Sequence, residues 1–162
     1  MFDRKDLKIM NILQSNARTS NAEIARQVGL APSATLERIR KLEERGVISG
    51  YEARLDPRAL GLDLLAFVSV RSNEVPGCAN TGAELAALPE VPEVHHVAGD
   101  DCYLLKMRAP SPEALGRILR KRVGRISTVT GTRSTIVLGT IKEAGRLTLG
   151  DALEEPEEAD VA

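Results

Sequence analysis

Six side chains near the beginning of the chain have the types and spacing to read a groove in nucleic acid. PSATLERIRKLEER, from Pro32 to Arg45, reads as a helix with Gly46 as its stop. At about 100° per residue, Leu36, Ile39 and Leu42 make an inward stripe. Ala34, Glu37, Arg38, Lys41 and Arg45 then lie on the far side, with Ser33 at the leading end. Small residues at that end let a backbone approach a duplex, while Arg38 and Lys41 reach base edges or phosphates. The same pattern also suits an ordinary solvated face on a helical hairpin, and the spacing by itself leaves both readings open.

Such a helix has to be positioned by its neighbours. Ser20 with Glu23 three residues later reads as a capping box opening a helix that carries Ala22, Ile24, Ala25 and Val28. Gly29 stops it, Leu30 and Ala31 make the turn, and Pro32 suits the first helical position. Ala31 is a poor cap. Two helices and a tight turn give the outline of a helix-turn-helix. Asp3–Gln14 reads as a third helix, with Asp3 as its cap and Leu7, Ile9, Met10, Ile12 and Leu13 apolar. After a Ser49-Gly50 turn, Tyr51 to Leu55 reads as an extended wing, and Asp56-Pro57 and Gly61 punctuate a hinge.

The remainder of the chain alternates differently. Leu64–Arg71 is an apolar strand, and Pro76-Gly77 breaks the chain before a short helix over Thr81–Leu88. Val91–Ala98 and Cys102–Ala109 form a hairpin around Gly99-Asp100-Asp101. Pro110–Arg122 is a helix and Val129–Leu138 a last strand. The order βαββαβ is that of a ferredoxin-like half-sandwich with helices on one face of the sheet. No further helix is available for the other face, so a partner subunit is the expected cover.

The overall charge of −1 on 162 residues gives no global attraction to nucleic acid or membranes, but its distribution is uneven. Residues 1–54 carry ten Lys/Arg against seven Asp/Glu, and residues 151–162 carry six acids and no base. That acidic end reads as a disordered tail. Cys78 and Cys102 form no CxxC pattern, and no apolar leader or membrane-length run is present, so a cytoplasmic protein is expected. His95-His96 invites a metal, but neighbours on a strand point to opposite faces and no further ligands are spaced to help. The basic run Arg117, Arg120, Lys121, Arg122 and Arg125 fits a solvated helix end. With no nucleophile–base pair and no clustered acids, neither an enzyme nor a bound cofactor is expected.

Several ordered landmarks carry a resemblance to the Lrp/AsnC regulators (leucine-responsive and asparagine-synthesis regulators). They are D-x-x-D-x-x-I-L at Asp3 to Leu13 (with one residue of slack), S-N-A-E-I-A at Ser20 to Ala25, V-G-L-x-P-S at Val28 to Ser33 and L-E-R-I-R-K-L-E-E-R-G-V-I at Leu36 to Ile48. V-A-G-D at Val97, Y-L-L at Tyr103 and T-R-S-T at Thr132 extend them into the second part. The resemblance implies an α+β protein. Residues 1–50 would be a winged helix-turn-helix domain, 51–62 a wing strand and hinge, 63–146 a ferredoxin-like (RAM-type) sensing and oligomerisation domain, and 147–162 the tail. It further implies a DNA-binding transcriptional regulator assembled as homodimers, tetramers or octamers, responding to a small effector such as an amino acid bound between subunits. By position the effector site falls on Gly99, Asp100, Asp101 and Cys102, with Thr132, Ser134 and Thr135 nearby. Cys102 departs from the family pattern, where a carboxylate often precedes the Tyr. A ligand-independent architectural DNA binder is the alternative.

Overall fold

The computed structural model describes residues 2–75, 80–143 and 145–149. Two compact units emerge, one from residues 1–54 and 143–162, the other from 55–142. The Pro76-Gly77 break, Cys78 and the acidic stretch 151–162 lie outside the described residues.

The first unit holds three helices: α1 (Arg4–Ser15), α2 (Asn21–Val28) and α3 (Pro32–Glu44). Ile9, Met10, Ile24, Val28, Ile39 and Leu42 form its core. The reciprocal capping box opens α1, where the Asp3 carboxylate accepts from the Asp6 amide at 2.8 Å and Asp6 returns the bond at 3.3 Å. At α2 the expected box is only half made. Ser20 accepts from the Glu23 amide, but the Glu23 carboxylate has turned to Arg26 and Gln27. Gly29 ends α2 in the left-handed conformation at φ 65°, which any side chain would strain.

On α3 the inward stripe is Thr35, Ile39 and Leu42, and Leu36 is 44% exposed. Positions i, i+4 and i+7 stay closer to one face than i, i+3 and i+6. Thr35 is tolerated inside because its hydroxyl donates to the Ala31 carbonyl one turn back at 3.2 Å. The shift from Leu36 to Thr35 turns the helix by about 30° relative to the sequence expectation. Tyr51 to Leu55 forms no strand, so the expected wing has no ladder. Its anchor is a side chain: the Tyr51 hydroxyl donates to Glu43 at 2.8 Å. The tail was expected from residue 147, yet Leu147 exchanges hydrogen bonds with the Gln14 side chain, at 2.7 and 3.3 Å, and Leu149 packs on the core.

The second unit is one antiparallel sheet in the order β2-β3-β1-β4. Its strands are β1 (Leu64–Ser72), β2 (Glu93–His96), β3 (Tyr103–Ala109) and β4 (Val129–Ile136). The short helix α4 (Asn80–Ala86) and the longer α5 (Pro112–Lys121) connect them in βαββαβ order. Ala66, Val68 and Val70 alternate inward from β1 and meet Tyr103, Leu105, Met107, Leu85 and Leu115. The opposite face carries Phe67, Ser69 and Arg71, with Leu104, Lys106 and Arg133 beside them by register. Glu74 ties the β1 end to α4 and β3 by accepting from the Asn80 and Thr81 amides and from the Tyr103 hydroxyl.

Candidate nucleic-acid interface and effector loop

The rotation of α3 redistributes its side chains. Ser33 and Glu37 stay exposed on the outward face, and Glu37 holds Lys41 at 2.8 Å. Ala34 is half-buried and shares a shallow concavity with Glu37, Arg38, Lys41 and Arg45. Arg38 is not free to read a groove. Its guanidinium donates to Asp3 and Asp6, each at 2.7 Å, and links α3 to the cap of α1. Both carboxylates hold the Arg38 pKa above its ordinary value, while the Asp6 amide and then Arg38 lower that of Asp3. Arg45 lies over the Phe2 ring at 4.8 Å. Exposed Arg40 takes the outward position that Arg38 was expected to hold, and has no carboxylate partner among the described residues. Exposed Leu36 flanks it. Sequence reasoning missed both because Thr35 looked polar and Leu36 apolar, which set the stripe one residue off.

Ala31 makes no side-chain cap, so the first amides of α3 are left for an acceptor from outside the helix. An anion is the natural acceptor at that end.

In the second unit the β2–β3 loop is closed by the Val97 amide donating to the Cys102 carbonyl at 2.9 Å, with Gly99 at φ 120°. Asp101 turns towards the sheet, accepting from Arg133 at 2.6 Å and lying 3.7 Å from Arg71. Asp100, Asp101, Arg71, Arg133, Ser69 and Leu104 line one open concavity of about 430 Å³. Asp100 has no ion-pair partner among the described residues. Thr132 borders a smaller recess beside Arg71 and Asp101.

The other expected residues lie elsewhere. Thr132 and Ser134 pair with Val70 and Val68, whose side chains enter the core, so both belong to the helix side of the sheet; Thr135 pairs with outward Phe67. Neither Ser134 nor Thr135 lines the concavity. Cys102 packs against the core, with its thiol 3.5 Å from the Ser72 carbonyl. Arg71 and Arg133 were invisible to sequence reasoning because they lie 62 positions apart; only strand pairing brings them together. His96 stacks on Tyr103 with ring centroids 5.1 Å apart, while His95 lies 3.7 Å from Glu93.

Two family models match these units. One, described as winged helix-turn-helix DNA-binding, covers residues 2–49; the other, the Lrp/AsnC ligand binding domain, covers 65–147. The chain belongs to the Lrp/AsnC family. It is 40% identical over 152 residues to the leucine-responsive regulatory protein of Escherichia coli K12, covering 91% of this chain and 92% of that one. A Neisseria meningitidis transcriptional regulator solved with L-methionine is similar at TM-score 0.86 and 30% identity, over 93% of this chain and 98% of that one. The feast or famine regulatory protein of Mycobacterium tuberculosis, also solved with L-methionine, matches at TM-score 0.84 and 34% identity, over 91% and 99%. The chain is thus a transcriptional regulator of this family, with a DNA-binding domain and a ligand-binding domain. Among the described residues, no helix is long and apolar enough to cross a membrane.

Proposed function

We propose that the protein binds duplex DNA through the outward face of α3 and that an amino acid, held on the second unit, alters its assembly or affinity. On α3, Ser33, Ala34, Glu37, Lys41 and Arg45 remain the candidates, with Arg40 and Leu36 added. Arg38 is reassigned to holding α1 against α3. Arg40 donates to bases or phosphates, and Leu36 suits the methyl of thymine. The uncapped amides at Ala31 receive a phosphate.

One observation carries the effector reading: unpaired Asp100 shares a concavity with Arg71 and Arg133. A free amino acid is a zwitterion. Its ammonium has Asp100 as acceptor, and its carboxylate has Arg71, which the more distant Asp101 neutralises only weakly at 3.7 Å. Gly99 and Asp101 shape the loop, and Thr132 borders only the smaller recess beside Arg71 and Asp101. Cys102, Ser134 and Thr135 support the strands.

The sheet face with Phe67 and Leu104 is where copies pair, placing the site between subunits of a homodimer or larger oligomer. Regulation then rests on differential affinity of the ligand for two assembly states. This role needs no catalysis and belongs in the cytoplasm.

A thermal-shift screen against the twenty amino acids, with light scattering on any hit, tests the reading. A ligand at a hundredfold excess over its dissociation constant stabilises the native state by about 2.7 kcal/mol. The expected result is a shift that Asp100→Asn removes without changing DNA affinity. No shift across the panel would leave the second unit with assembly alone.

A further inference from the structure

A groove of about 690 Å³ runs between α1 and α2, lined by Arg4, Lys5, Lys8, Asn11, Thr19 and Gln27 among others, and no acid lines it. The three cations are exposed and have no carboxylate partner among the described residues. The acids of α1 are committed elsewhere: Asp6, like the capping Asp3, faces Arg38. On α2, Glu23 holds Arg26 and Gln27. Arg4, Lys5 and Lys8 also stand in the first two turns of α1, where the helix dipole disfavours positive charge. The groove is therefore an uncompensated anion site on the unit that reads DNA.

A source of anions is anchored beside it. Leu147 exchanges two hydrogen bonds with Gln14, Arg146 donates to the Ser15 carbonyl at 3.3 Å, and Leu149 packs on the three-helix core. Two residues further on begins DALEEPEEAD, residues 151–160, with six carboxylates and no cation. An extended chain spans about 3.3–3.6 Å per residue, so Glu154 to Asp160 reach about 17–39 Å from Leu149. The whole of α1 is only about 18 Å long.

We propose that residues 151–160 dock in the α1–α2 groove of the same chain, with carboxylates on Arg4, Lys5 and Lys8, and that this docking opposes DNA binding. The segment places six negative charges on the unit that must approach a polyanion. Its tether supplies an effective concentration in the millimolar range, so individually weak surface pairs suffice. DNA, with its higher charge density, displaces it at a cost in affinity that salt erases.

The test uses the full-length protein and two readouts. Zero-length carbodiimide crosslinking of mixed unlabelled and nitrogen-15 protein, read by mass spectrometry without DNA, should join Lys5 or Lys8 to an acid between Glu154 and Asp160 of the same chain. High salt should abolish the crosslink. Absence of that crosslink at low salt, or its appearance only between copies, overturns the proposal. In DNA titrations, the amide variant D151N/E154Q/E155Q/E157Q/E158Q/D160N should bind about 3–10-fold tighter at low salt. Adding K5Q/K8Q should cancel that gain. A gain that persists in K5Q/K8Q is long-range charge repulsion and overturns the groove as its seat. Crosslinking without any DNA binding would count against the reading of α3 and leave the docking standing.

Discussion

Arg38 donates to Asp3 and Asp6, whereas Arg40, two positions along α3, faces solvent. The two arginines should therefore fail differently. Arg38→Ala lowers the melting temperature by removing a cross-helix pair, with an effect of about 1 kcal/mol or less expected for a partly exposed ion pair. Arg40→Ala leaves the melt unchanged and weakens DNA binding by about 1–3 kcal/mol, with relaxed preference if it reads a base. Paired melting curves and anisotropy titrations decide. A normal melt with lost site preference in Arg38→Ala would return Arg38 to the reading face. Tyr51 offers a pH signature. Burial, and then the hydrogen bond to Glu43, push its phenol from 10.0 up to about 12. A raised folded-state value means that this contribution to stability is complete below pH 10.0 and is lost as pH rises through about 12. Melts across that window should show a loss that Tyr51→Phe reduces, and phenolate absorbance should show one late-titrating ring fewer.

At the scale of elements, and among the described residues, α3 is the only one of the four longer helices whose N-cap makes no side-chain bond; Asp3, Ser20 and Ser111 cap α1, α2 and α5. Ala31→Ser should stabilise the protein by about 0.5–2 kcal/mol, read as a shifted urea midpoint. Ala31→Asp should stabilise comparably yet weaken DNA binding, because its charge occupies the amides that would meet a phosphate. Equal DNA affinity in both variants would mean that the end of α3 stays clear of the backbone. Helix and strand order was readable because apolar periodicity changes from about 3.6 to 2 along the chain. The β2–β3 pairing was readable from the Gly99-Asp100-Asp101 turn between two apolar runs. What escaped was context. The buried Thr35 hydroxyl is satisfied by its own helix, so polarity misled the facing of α3. Glu23 chose Arg26 over a capping role. Arg71 meets Asp101 and Arg133 only through β1–β4 and loop geometry, which local spacing does not encode.

For the whole molecule, the sheet face with Phe67 at 38% exposure, and with Leu104 on the same face by register, is the surface on which the proposed pairing of copies would take place. Phe67→Lys, facing Lys106 across β3 and Thr135 across β4, should shift light scattering to smaller species while the helical signal persists. Unchanged assembly would place the pairing surface elsewhere. The unit built from residues 1–54 and 143–162 carries one more consequence. Gln14 and the three-helix core receive Leu147 and Leu149 only after the entire sheet unit has been translated. During synthesis the reading helices must therefore wait, partly uncovered, while about 90 intervening residues emerge over several seconds at ribosomal rates. A nascent chain stalled before Leu147 exposes core surface that the finished protein hides, and is a natural client for chaperones.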